Sequence, residues 1–172
     1  MSQQAPGKGV GRIFMIVAWC AGLYLATQFF GRWEQRQQNP NTEVTSQQGE
    51  GYIEVKLLGN AQGHFVASGR INNVPVEFLL DTGATDVAVP LDLARQLALP
   101  KGLPVTLSTA NGRTQGYQTR IDRLQLGAIV LRDVRAVAAP GLDGEQVLLG
   151  MSALNKLEFT QRGGTMLLRQ TT

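Results

Sequence analysis

Between Tyr52 and Arg169 the apolar residues come in short runs, each soon broken by Gly, Asn or Pro, and that punctuation leaves no room for long helices. YIEVKLL (52–58), HFVASGRI (64–71) and VPVEFLL (74–80) have strand length and strand composition. Asn72-Asn73 joins the last two, and asparagine tolerates the positive φ of a tight hairpin turn. TDVAVP (85–90) continues the series, while LDLARQLAL (91–99) places Leu93, Leu97 and neighbouring alanines on one helical face before Pro100 stops it. PVTLSTA and RTQGYQTRI flank Asn111-Gly112, the strongest hairpin signal in the chain. LQLGAIVL and VRAVAA add strands, EQVLLG leads into a brief MSALNKL helix, and EFTQRGGTMLLR turns back on itself at Gly163-Gly164. Many short strands with one or two short helices predict a mainly β, barrel-like domain over residues 52–172.

Hydrophobic residues make up 43% of the 172 and charged ones 17%, enough apolar material to fill one core. From Tyr52 onward 12 basic residues face 10 acidic ones, scattered singly. Nucleic-acid binding wants a clustered basic stripe, so no nucleic-acid partner is expected. Cys20 and His64 are the sole residues of their kinds, which excludes an intramolecular disulfide and a Cys/His metal cluster within one chain.

Ile13 to Phe30 carries no charge in 18 residues, just enough to cross a bilayer core. Residues 1–12 form a flank closed by Arg12. Arg32 closes the far end, with Trp33 where an interfacial aromatic sits. A cleaved signal peptide is the rival reading, but no small-x-small site follows a complete apolar core, which favours an uncleaved single-pass anchor. Lys8 and Arg12 before the run balance Arg32 and Arg36 after it, so charge gives no orientation. Residues 31–51 are rich in Gln, Asn, Ser and Thr, lack apolar periodicity, and predict a flexible tether.

The chemistry concentrates in FLLDTGATDVAVP (78–90). A carboxyl directly after a buried apolar run needs hydrogen bonds or a proton, and Thr82 and Gly83 provide a hydroxyl and a sharp turn with free N–H groups. Two such carboxyls face to face share one proton, so one acts as base toward water while the other donates to a substrate carbonyl. Asp-Thr-Gly alone is a weak signal.

With its context, the segment resembles the retropepsin-like aspartic proteases: Leu79-Leu80-Asp81-Thr82-Gly83-Ala84 matches their apolar-apolar-Asp-Thr/Ser-Gly-Ala/Ser signature at every position. Leu148-Leu149-Gly150 with its following helix is similar to their late apolar-apolar-Gly element, and the Asn111-Gly112 hairpin falls where their flap lies. The resemblance covers about Tyr52 to Arg169, and the layout looks like membrane-anchored single-domain members of Gram-negative bacteria. It implies a closed retropepsin-like barrel, a peptide or protein substrate, no metal or organic cofactor, and a periplasmic domain held at the inner membrane. Asp81 would be the catalytic carboxylate, Thr82 would brace the two loops across a dimer axis, and the Gly83 carbonyl would meet substrate backbone. Ala84 would line the cleft, with Asn111 and Gly112 facing substrate from the flap, and Asp86 would either take a substrate-facing role or stand as a plain exposed loop aspartate. Asp143-Gly144 lacks the apolar lead and the hydroxyl, so the second aspartate must come from a second chain: a homodimer, not a two-lobed monomer.

Retroviral members pair an Asp at the position of Thr85 with an Arg at that of Met151; this chain has neither, which is coherent, since losing one alone would strand a charge. Tyr117, a few residues past the hairpin tip, reads as strand packing, and His64 as a surface residue. Gly150-Met151-Ser152 lacks the second glycine of a serine-hydrolase elbow. The alternative from another class is a non-catalytic, membrane-tethered peptide-binding or dimerisation module of the same fold.

Overall fold

The apolar N-terminal run is helical, which satisfies its backbone groups within the segment. In the computed structural model, which describes residues 8–109, 112–142 and 146–171, helix α1 spans Lys8–Gln38. Its stretch Gly11–Gln35 is long and apolar enough to cross a membrane, by length and composition; a signal sequence meets the same criteria. The chain divides into two compact units, Met1–Gln37 and Gln38–Thr172.

The second unit is built from eleven strands and two short helices among the described residues. They run β1 (Ser46–Gly49), β2 (Tyr52–Leu58), β3 (Phe65–Ile71), β4 (Val74–Leu80), β5 (Val87–Pro90), α2 (Leu91–Gln96), β6 (Pro104–Thr109), β7 (Gly112–Leu126), β8 (Ile129–Ala139), β9 (Gln146–Leu149), α3 (Met151–Leu154), β10 (Glu158–Arg162) and β11 (Thr165–Thr171). One sheet has the order β3-β4-β9-β5-β8-β7-β6, and β3 also pairs with β7, so six of its strands close into a ring. The other, β1-β2-β11-β10, is antiparallel throughout. Asn72 and Asn73 take the expected positive φ (47° and 70°) between β3 and β4.

The core between these layers is apolar and mostly aliphatic, with Phe78, Leu57, Ile71, Ile121, Leu124, Leu126, Ile129, Leu149 and Leu168 sealed from solvent. LQLGAIVL is not one strand. It splits at Gly127 (φ 58°), and its two halves pair as the ends of β7 and β8. Both long strands also kink. Ile121 and Leu124 are buried three apart, as are Leu131 and Val134, and the ladder passes over Asp122 and Asp133 between them. Asp133 sits at φ 53°. The kink lets the first half of β7 pair with β6 while its second half meets β3 at Ile71↔Leu124 and closes the ring.

Residues 31–51 are not the flexible tether that composition predicts, and the folded unit begins at Gln38 rather than Tyr52. Asn39 and Asn41 are buried. The Asn41 amide donates to the carbonyls of Leu58 (2.9 Å) and Val66 (2.7 Å), and its oxygen accepts from the Leu58 N–H (2.8 Å), clasping β2 to β3. Asn39 donates to Glu77 (2.8 Å) and Ser68 (3.2 Å), and β1 pairs along β2. Polar side chains here serve backbone groups of the domain, which composition cannot distinguish from solvation.

Candidate active site

Strand β4 runs out of the core and ends at Leu80, so Asp81 emerges half-buried at its tip. Its N–H donates to the Leu149 carbonyl (3.2 Å), extending the parallel β4–β9 pairing by one bond. The Ala84 N–H closes the turn onto the Asp81 carbonyl (3.2 Å), and the Gly83 N–H donates to the Asp81 carboxylate (2.8 Å). A backbone donor fixes the side chain without removing its second oxygen from reach. A Cβ on Gly83 would stand 3.1 Å from that carboxylate oxygen, so glycine permits the close approach. Thr82 and Gly83 are exposed, and Ala84 is half-buried.

The loop is then buttressed from behind. The Met151 N–H donates to the Ala84 carbonyl (2.8 Å) and the Ser152 N–H to that of Thr85 (2.9 Å). Gly150 makes this possible. A Cβ there would lie 2.3 Å from the Asp86 carbonyl oxygen and 2.7 Å from that of Ala84, and neither backbone atom can move aside. This is the physical content of an apolar-apolar-Gly run beside the loop.

Sequence reading missed two contributors. Ser152 Oγ accepts from the Val87 N–H (2.9 Å) and donates to the Arg135 carbonyl (2.7 Å), tying α3 to β5 and β8. Arg135 donates through Nε to Asp86 (2.6 Å). Asp86, expected to face substrate, thus has its carboxylate on Arg135, whose side chain is 63% exposed against 23% for that of the aspartate. The charge pair missing at Thr85 and Met151 has a counterpart one residue along the loop, with its cation on β8. No local signal marks a lone arginine inside VRAVAA as that partner.

Gly112 opens β7 at φ 107°, paired with Thr109 across the hairpin; Asn111 lies outside the described residues, as does Asp143-Gly144. Tyr117 is 9% exposed, with the Lys101 ammonium 5.5 Å from its ring centre, and is strand packing. His64 is exposed, its N–H on Asn60 (2.9 Å). Among the described residues, no three His, Cys, Asp or Glu converge as a metal site.

A ring of strands with an aspartate turn at the end of β4, backed by a glycine-led helical turn, defines a retropepsin-like aspartic-protease fold. The model for the gag-polyprotein putative aspartyl protease family matches residues 67–156, just over half of the chain, and the chain belongs to that family. Among known proteins it is 36% identical over 115 residues to an uncharacterised protein from the cobV 5′ region of a Sinorhizobium species, covering 65% of this chain and 49% of that one. It is 29% identical over 108 residues to an uncharacterised protein of Rickettsia prowazekii (strain Madrid E), covering 61% and 46%. The matches therefore span about half the length of these relatives. Among solved structures, a retropepsin-like aspartic protease from Rickettsia conorii superposes with a TM-score of 0.59 at 24% identity, covering 74% of this chain and 96% of that one, and shares the fold.

Proposed function

We propose that the chain is a membrane-anchored aspartic endopeptidase, active as a homodimer in which each copy supplies Asp81. The observation that carries the reading is the Asp81 carboxylate, held by the Gly83 N–H at a half-exposed strand tip, in a chain with a single Asp-Thr-Gly. One carboxylate takes a proton from water as its oxygen attacks the peptide carbonyl carbon, and the other gives its proton to the carbonyl oxygen. The tetrahedral adduct collapses as the C–N bond breaks and the leaving nitrogen takes up a proton. Thr82 braces the paired loops, the Gly83 carbonyl receives substrate N–H groups, Ala84 lines the cleft, and the hairpin that Gly112 opens covers the substrate. The span within α1 holds the domain at the bacterial inner membrane, on the periplasmic side that the family resemblance favours.

The test is cleavage of a peptide library by the full chain in detergent, from acidic to alkaline pH, beside Asp81→Asn. Wild-type cleavage that is stronger at mildly acidic pH, and at least about a thousandfold weaker in the variant, is expected, because the shared proton is lost in alkali and the dyad is lost in the variant. A folded dimer that binds peptides but cuts none would replace the enzyme with a peptide-binding module.

A further inference from the structure

We infer that the outer face carrying Arg70, Arg123 and Arg132 docks the folded unit on anionic phospholipid headgroups of the membrane that the N-terminal helix enters. The inference rests on the membrane-anchored reading above and adds a second attachment to it.

Basic residues are scattered singly along the sequence, but the ring of strands gathers three of them. Ile71 lies opposite Leu124 and Leu124 opposite Leu131, all buried, so their neighbours on β3, β7 and β8 face outward. Arg123 stands directly across from Arg132, and Arg70 directly across from Gln125, diagonal to Arg123. Arg70 and Arg132 are exposed and Arg123 is half-buried. Like charges opposite each other on paired strands repel, and an anion beside them removes the penalty.

The same two strands show a pair that has been satisfied. Arg120 lies opposite Arg135, and each has its own carboxylate, Asp133 for Arg120 (2.5 Å) and Asp86 for Arg135 (2.6 Å). Arg70, Arg123 and Arg132 have no ion pair among the described residues, with Asp122 or any other carboxylate. Arg123 donates through Nη2 to Gln125 (3.0 Å), and its Nε is buried without a partner. Arg70 donates to the Asn73 carbonyl (2.9 Å). Lys156 adds a further positive charge, its ammonium on the Arg132 carbonyl (2.8 Å). Glu77, diagonal to Arg70, has its carboxylate held by Asn39 and Gln146.

Position argues that the missing anion is lipid. Asn39, at the start of the folded unit, donates to Ser68, which precedes Arg70 by two residues on the same face of β3. At about 3.3 Å per residue, the patch begins about 7 Å along the strand from the chain's point of entry. Gln38 opens the unit only three residues beyond the Gly11–Gln35 stretch, and three residues reach at most about 11 Å. A phosphate surface crossed by that stretch is thus present at high effective concentration, whereas a nucleic acid or an acidic protein must arrive by diffusion. Arginine grips phosphate oxygens with two parallel N–H groups, and Val74 and Pro75, both exposed, add apolar contact on the hairpin beside Arg70. Docking fixes the height of the Asp81 loop above the bilayer, and with it the part of a membrane-bound substrate that the loop meets.

The test uses the full chain on a Cys20→Ser background, with an environment-sensitive fluorophore on Pro75→Cys. Emission should shift to the blue in phosphatidylcholine liposomes that contain phosphatidylglycerol, relative to phosphatidylcholine alone, and high salt should reverse the shift. Arg123→Gln with Arg132→Gln should lower the ratio of docked to undocked domain roughly twentyfold. The double variant should unfold in denaturant no more easily than the wild type, because the opposed charges are gone, so lost docking is not lost folding. No lipid-dependent shift, or one that the double variant keeps, would overturn the inference. Stabilisation of the wild type but not the variant by inorganic phosphate, without any shift on anionic liposomes, would make the patch a free-anion site and equally overturn it. Alkaline carbonate extraction separates this from the anchor. A chain that resists extraction yet shows no shift keeps the anchor and loses the docking; one that is stripped, yet shifts on anionic liposomes, keeps the docking and sinks the anchor.

Discussion

At Gly150 the absence of one carbon decides the geometry of the site. The Gly150→Ala Cβ meets two carbonyl oxygens of the Asp81 loop at 2.3 and 2.7 Å, so the loop must move. We expect a loss of about 1–3 kcal/mol in denaturant unfolding, as for other overpacked positions, and a loss of cleavage larger than that destabilisation explains. A second residue-scale prediction concerns Asp133. Its hydrogen bond from Arg120 (2.5 Å) holds the carboxyl below its ordinary value of 3.8. A carboxyl depressed by folding contributes stability above its unfolded pKa, and that contribution disappears as pH falls through the folded value. Arg120→Ala should therefore raise the Asp133 midpoint toward 3.8 in an NMR titration. The pair is exposed, so salt should shrink the difference.

Elements in this fold are held by what crosses between them. Asn41 belongs to no named strand, yet its side chain satisfies three backbone groups of β2 and β3 at once. Asn41→Ala leaves those groups without partners at a buried position and should cost about 3 kcal/mol in denaturant unfolding. Asn41→Asp keeps the acceptor and loses both donors, and should not rescue it. Asn60→Ala, at a half-buried residue whose hydrogen bonds lie at the solvent edge, is the comparison expected to cost far less. A chain begun at Tyr52 discards this clasp together with β1, whereas one begun at Gln38 keeps both.

The whole molecule combines a domain proposed to act as a homodimer with a helix long and apolar enough to cross a membrane. Confinement to a bilayer raises the effective concentration of each copy for the other. The unit begun at Gln38 should accordingly dissociate in sedimentation velocity at low micromolar concentration, while the full chain in liposomes stays paired. A tight dimer of the unit alone would show that the helix adds nothing to assembly.

Much was legible from residues alone. The strands announce themselves by β-branched runs between turn residues, because that local chemistry is the same in any fold. The tight turn at Asp81 was readable from Thr82 and Gly83, whereas Leu148-Leu149-Gly150 was tied to that loop only by the family resemblance; the close backbone approach at Gly150 is what the tertiary structure adds. The charge-free run from Ile13 to Phe30 is likewise legible as a helix, because at 18 residues it is far longer than a strand. Other features depended on partners distant in sequence. Arg135 finds Asp86, and Ser152 finds Val87, only once β8, α3 and β5 are neighbours. The polar segment around Asn41 looks like a linker until the Leu58 and Val66 carbonyls stand beside it. A side chain's type and spacing state what it can bond; only the tertiary structure decides which unsatisfied backbone group or charge comes within reach.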